Sequence, residues 1–147
     1  MHVHRQSLNA YGAPLCETIV EAPRPQGTEV LVRIERCGVC HSDLHMQDGY
    51  FLLGDRKKLD VQAGRTLPFT LGHEIAGLIE SSGPDADVKP GAKVAVYPWI
   101  GCGRCAACGV GDENICAAPR HLGVTVDGGF ATHVLVPHSR YLIDYAP

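Results

Sequence analysis

The chain has 147 residues, enough for one ordinary domain and too few for two domains with separate cores. Hydrophobic residues at 45% and charged residues at 20% exclude a disordered chain, and a net charge of −3 argues against a general nucleic-acid or anionic-membrane binder. With 17 glycines and 10 prolines among short apolar runs, many turns are expected, and with them a mainly β fold.

The N-terminus, Met1-His2-Val3-His4-Arg5-Gln6, has no apolar export core. Apolar runs such as Val94-Ala95-Val96-Tyr97 fall far short of the roughly 20 residues a membrane span requires. A cytoplasmic protein is expected, so the 7 cysteines read as metal ligands or free thiols and not as disulfides. Residues 15–22 form the first predicted strand, closed by Pro23 and Pro25. Residues 30–35 alternate apolar and polar, which turns Val30, Val32 and Ile34 towards a core. Residues 42–47 suit a short helix, with Ser42 as N-cap and Gly49 as the stop. Residues 51–67 read as a long surface excursion. A strand follows at 75–80, then a Pro-Gly turn at 88–91 that feeds a buried strand at 93–96. The last clear strand covers 130–136 and stops at Pro137. The chain shows no internal repeat, and the pattern indicates a β-barrel or sandwich.

The segment 101–116 is too polar and glycine-rich to fold by apolar burial. It carries Cys102, Cys105, Cys108 and Cys116 in the spacing C-x2-C-x2-C-x7-C. Four thiolates brought within about 2.3 Å of one ion make a closed tetrahedral zinc site, and the metal then supplies the folding energy. An iron–sulfur cluster is the alternative for four such thiolates. A second constellation, Cys37-Gly38-Val39-Cys40-His41-Ser42-Asp43-Leu44-His45, and a third, Gly72-His73-Glu74, place Cys, His and carboxylate groups outside that lobe. Together they suggest an open metal site; Cys37 and Cys40 alone would also suit a redox pair.

These elements resemble, in order, those of the N-terminal GroES-like catalytic domain of zinc-dependent medium-chain alcohol dehydrogenases. The resemblance runs from Val30 to Val136 and includes Leu71-Gly72-His73-Glu74-Ile75-Ala76-Gly77, the four-cysteine lobe and Gly128-Gly129-Phe130-Ala131-Thr132-His133-Val134. It implies a GroES-like β-barrel with a small zinc-binding cysteine lobe and few short helices. It further implies that Cys40 and His73 hold a catalytic zinc, that Glu74 lies beside it, and that Asp43 orients His73. By the same resemblance Ser42 takes the substrate proton and His45 ends the relay, while His41 lies near the cofactor pyrophosphate. Cys37 matches no ligand position and reads as a spare buried thiol. The implied reaction moves hydride from an alcohol to NAD or NADP, with a small alcohol or aldehyde as substrate, in a homo-oligomer.

Two family features have no match. The family's third zinc ligand is a later cysteine, and no cysteine follows Cys116; Glu74, a water or a neighbouring chain is expected to stand in. No strand–GxGxxG–helix unit is present either, because Gly101-Cys102-Gly103-Arg104-Cys105-Ala106 lies inside the cysteine lobe. The expectation is therefore one GroES-like catalytic domain over residues 1–147, without its nucleotide-binding domain and inactive alone. The rival readings are a zinc-stabilised β-barrel without catalysis, and a sibling polyol or formaldehyde dehydrogenase.

Overall fold

The computed structural model describes residues 1–145; the last two positions of the expected 1–147 domain lie outside the described residues. Strands β1 (His2–Leu8) and β2 (Cys16–Glu21) pair antiparallel, from His2 opposite Glu21 to Ser7 opposite Cys16. Strand β3 (Val30–Gly38) leads through Val39 and Cys40 into helix α1 (His41–Asp48). The expected excursion folds back as a hairpin of β4 (Tyr50–Leu52) and β5 (Lys58–Asp60). Then come β6 (Phe69–Thr70), β7 (Glu74–Ser82), β8 (Lys93–Val96) and β9 (Trp99–Ile100). The cysteine lobe, with the short helix α2 (Ala106–Gly109), separates β9 from β10 (Arg120–His121). Strands β11 (His133–Val136) and β12 (Leu142–Asp144) complete the described chain.

The centre is an antiparallel five-stranded sheet in the order β11-β3-β7-β8-β12. β-Branched residues dominate its inner face, where they suit a pleated, half-buried surface. Val30, Val32, Ile75, Ile79, Val94, Val96, Val134 and Val136 bury against one another there. A second cluster of Met46, Phe69 and Leu71 packs beneath α1. A three-stranded sheet, β2-β1-β6, closes the other side. Residues 130–132 join the two: Gln6 donates its N–H to the Phe130 carbonyl and Thr132 donates to His4, while Ile34 donates to Thr132. The expected strand at 130–136 is therefore regular only over β11, because its first half turns towards β1 and its second half pairs with β3.

The mainly β architecture is as expected, with two α-helices of 8 and 4 residues among the described residues. Val30 and Val32 are buried as expected, but Ile34 is only half-buried and Leu31 is buried as well. Irregular pairing with β7 near Leu31 and again between Ile34 and Arg36 breaks the simple alternation. Helix α1 is capped by Cys40 and not by Ser42: the Asp43 carboxylate reaches back to the Cys40 N–H at 2.9 Å. Gly49 ends the helix in the left-handed region, at φ 83°, as expected. No helix among the described residues is long and apolar enough to cross a membrane.

At Gly77, β7 passes β3 so closely that a Cβ would meet the Arg33 carbonyl oxygen. That oxygen belongs to a paired backbone and cannot rotate away. Gly77→Ala is expected to cost about 2 kcal/mol. Gly109→Ala, where no atom lies within 4 Å of the added carbon, is expected to stay within about 0.5 kcal/mol of the parent. Denaturant unfolding of both variants checks the contrast.

Candidate metal centre and cleft

The first site forms where two strands end. β3 delivers Cys40 to the N-terminus of α1, and β7 begins just after His73. Asp43 ties these ends together. It is 3% exposed, and its two carboxylate oxygens accept the Cys40 N–H at 2.9 Å and the Gly72 N–H at 3.0 Å. The oxygen bonded to Gly72 also lies 3.5 Å from His73 Nδ1, long for a hydrogen bond. That nitrogen is buried and has no hydrogen-bond partner among the described residues. With Nδ1 turned to Asp43, Nε2 is the ring atom left for a metal.

Cys40, His73 and Glu74 offer donor atoms that all lie within 4.8 Å of one another. Ser42 Oγ is 3.0 Å from Cys40 Sγ, and this contact leads the causes that pull the Cys40 thiol below its ordinary pKa. A thiol that ionises readily is the better metal ligand. Glu74 is exposed and sits opposite Gly38 in the β3–β7 register. Any side chain at Gly38 would collide with that carboxylate. His41 and His45 stand one turn apart on α1 with rings stacked at 4.6 Å, and His45 also lies 4.6 Å from the Phe51 ring. Cys37 is a half-buried thiol that burial pushes up to about 11, which suits a spare, inert cysteine.

The lobe draws Cys102, Cys105, Cys108 and Cys116 within 4.8 Å of one another. Three of the sulfur–sulfur distances are 3.5, 3.8 and 4.0 Å. A tetrahedron with zinc–sulfur arms of about 2.3 Å has edges of about 3.8 Å. Backbone N–H groups of Cys102 and Ala118 point at Cys116 Sγ, at 3.2 and 3.4 Å, and that of Cys108 points at Cys105 Sγ at 3.5 Å. The Cys108 amide leads the causes that lower Cys105 to about 6, whereas burial raises Cys108 to about 11. The sulfur–sulfur spacing is that of a tetrahedral zinc site, and a bound cation is the usual way for neighbouring thiolates to share such a space.

A cleft of about 240 Å³ opens beside the first site. Ser42 and His73 line it, with Met46, Phe51, Pro98, Trp99, His121, Leu122 and Val124 around them. Phe51 brings the hairpin into the wall, so the excursion at 51–67 does border the cleft. Trp99 and His121 escaped the sequence reading. They are far apart in the chain and meet only because β9 and β10 pair across the cysteine lobe.

Residues 26–145 match the alcohol dehydrogenase GroES-like domain family. The chain is 47% identical over 132 residues to an NAD-dependent alcohol dehydrogenase of Sulfurisphaera tokodaii, covering 89% of this chain and 37% of that protein. It superposes with TM-score 0.83 on the D-arabinose dehydrogenase from Sulfolobus solfataricus, at 36% identity, covering 98% of this chain and 40% of that one. A cobalt- and zinc-bound thermostable alcohol dehydrogenase from Pyrobaculum aerophilum superposes with TM-score 0.79 at 26% identity, over 98% of this chain and 41% of that one. The chain thus spans well under half the length of these relatives.

Asp43→Asn is expected to weaken metal binding at Cys40 and His73 by 10- to 100-fold, within the usual range for such outer partners. An amide has one acceptor oxygen for two backbone donors, so stability should fall by about 1–3 kcal/mol too. Zinc competition with a chelator and a thermal melt measure both effects. Cys105→Ser is expected to lose a full equivalent of zinc from the lobe and to lower the melting temperature by several degrees. Elemental analysis and calorimetry check this.

Proposed function

The chain belongs to the alcohol dehydrogenase GroES-like domain family, and on that premise we propose that it forms the alcohol-binding, zinc-binding part of an NAD(P)-dependent dehydrogenase. One juxtaposition carries this: Cys40, His73 and Glu74 bring their donor atoms within 4.8 Å of one another, His73 and Ser42 line an apolar cleft, and Asp43 is hydrogen-bonded to the segments that carry Cys40 and His73. A non-catalytic barrel needs the Asp43 carboxylate only as a cap and tie, and has no use for a thiol, an imidazole and a second carboxylate gathered beside it.

Cys40 and His73 hold the catalytic zinc, and the exposed Glu74 approaches it as a further carboxylate ligand. Cys102, Cys105, Cys108 and Cys116 hold a closed structural zinc. Zinc supplies a Lewis acid that makes an alcohol more acidic, and the nicotinamide supplies the hydride acceptor. Asp43 keeps the His73 ring turned so that Nε2 faces the cleft. Ser42 lines the cleft and accepts the alcohol proton at Oγ, through the same hydroxyl that contacts Cys40. The described side-chain contacts of His45 are ring contacts, so the proton passes from Ser42 to His45 across a bridging water or ligand hydroxyl. His41, exposed at the first turn of α1, is placed to meet the cofactor's pyrophosphate. The glycine-rich turn that cradles a dinucleotide is to be sought outside this domain. A reducing compartment, the cytoplasm, suits seven cysteines that are all free.

Alcohol-dependent reduction of NAD or NADP by the zinc-loaded protein, joined to its nucleotide-binding unit, is the direct test. Cys40→Ser is expected to abolish turnover. Ser42→Ala is expected to lower kcat by about 100-fold, with the loss largest at low pH where the proton is hardest to remove. Cofactor absorbance at 340 nm reads both.

A further inference from the structure

One side chain ties the excursion to the rest of the fold. Arg65 is half-buried, and its guanidinium bonds to segments far apart in the chain. Its Nε donates to the Val124 carbonyl at 3.1 Å, and Nη2 donates to the same oxygen. Nη1 donates to the Val61 carbonyl at 2.6 Å and lies 3.5 Å from the Tyr11 hydroxyl, a long contact. Nη2 also meets Met46 Sδ at 3.2 Å. The Phe69 ring lies beneath the cation, with its centroid 4.9 Å from Cζ. None of these partners is a carboxylate, so the group is not held here by an ion pair.

A guanidinium offers its donors in a rigid planar fork. Bonded from several sides, such a fork fixes the relative positions of the groups it joins. Two of those groups belong to the cleft wall, Met46 on α1 and Val124 in the loop after β10. A third lies at the base of the hairpin. Val61 directly follows β5, whose Leu59 pairs with Phe51, another wall residue. The Val61 N–H in turn donates to the Gly49 carbonyl at the end of α1, at 3.1 Å. Arg65 itself is not among the residues lining the cleft, so it can act only through the walls it joins.

We propose that Arg65 is a positioning residue of the cleft: its guanidinium holds the walls carrying Met46, Phe51 and Val124 at a fixed separation, and so sets the bulk of the alcohol that the cleft accepts. This rests on the reading of that cleft as the alcohol site. Without the fork, the Val124 carbonyl loses two donors, and the hairpin base loses its tie to the opposite wall. The walls are then free to part. A slim alcohol that fills the cleft only while the walls are held loses packing contacts on one side. A bulky one is admitted by the wider space, so the preference between the two moves towards bulk.

The experiment compares two primary alcohols that differ in bulk, 1-butanol and cyclohexylmethanol. Trp99 is the single tryptophan of the chain and lies in the cleft wall, so its fluorescence reports binding without any turnover. Arg65→Met keeps an apolar stem and removes every donor. It is expected to move the affinity ratio towards cyclohexylmethanol by about fivefold or more. Arg65→Lys keeps the charge and loses the fork, and is expected to move the ratio the same way by about twofold or more. A ratio unchanged in Arg65→Met, an equal loss for both alcohols, or a move towards 1-butanol would overturn the proposal. A lysine variant that matches the wild type would assign the effect to charge and overturn it too. A second measurement needs no variant and so does not depend on a variant folding. The Arg65 Nε–H resonance should exchange slowly with water and shift when cyclohexylmethanol binds. A guanidinium that merely glued the loops together would exchange slowly without responding, and that result overturns the proposal. Turnover with zinc and nicotinamide is scored separately. Turnover with an unmoved ratio removes Arg65 as the positioning residue and leaves the dehydrogenase standing. A moved ratio without turnover keeps Arg65 as the support of an alcohol-binding cleft and removes the dehydrogenase.

Discussion

Everything at the candidate site hangs on one buried carboxylate. Asp43 accepts backbone N–H groups from the end of β3 and from the segment before β7, and it lies against His73 Nδ1. Burial of an acidic side chain is unfavourable unless its oxygens are paired, and here the pairing partners are the backbones beside Cys40 and His73. The same side chain completes the N-terminal cap of α1. Helix start, ligand spacing and histidine orientation are therefore one structural event. This is why the Cys40 and His73 donors converge although 32 residues separate them in the chain.

The two cysteine-bearing sites solve opposite problems. The lobe leaves Val110 and Ile115 exposed, so it buries little apolar surface, and it gathers four sulfurs at close to tetrahedral spacing. The other site has a thiol, an imidazole and an exposed carboxylate beside an open cleft. They are mechanically linked. The lobe sits between β9 and β10, whose pairing presents Trp99 and His121 to the cleft. Arg140 reaches Glu113 of the lobe at 3.3 Å and anchors it from the far side. A metal that organises the lobe thus also sets one wall of the binding site.

Much of this was legible in the residues. The thiol spacing at 102–116 marked out a four-cysteine lobe, and the fold brings those four sulfurs together. Gly49 and the Pro-Gly turn before β8 were read correctly, since a positive φ has few chemical solutions. The N-cap was misread because Ser42 is a strong capping residue on propensity, whereas Cys40 is a poor one that is rescued by the carboxylate of Asp43 three positions later. β1 went unpredicted because His2, His4 and Gln6 carry no strand signature; pairing with β2 makes them one. β12 is short and half exposed, and it is a strand only because β8 has a free edge beside it.

By itself the sequence determined which chemistry is present: four lobe thiols, a Cys–His–Glu set, a hydroxyl and a carboxylate next to it, all in motifs short enough to be local. Local spacing is decided by covalent geometry, so it survives in one dimension. Only the tertiary structure decided which of these groups share a space. The convergence of Cys40 with His73 needs the β3–β7 register, the Phe51 wall needs the hairpin to fold back, and the His121–Trp99 pair needs β9 and β10 to meet across the lobe. Those are long-range contacts set by strand register and burial, and no stretch of the chain short of the whole fold contains them.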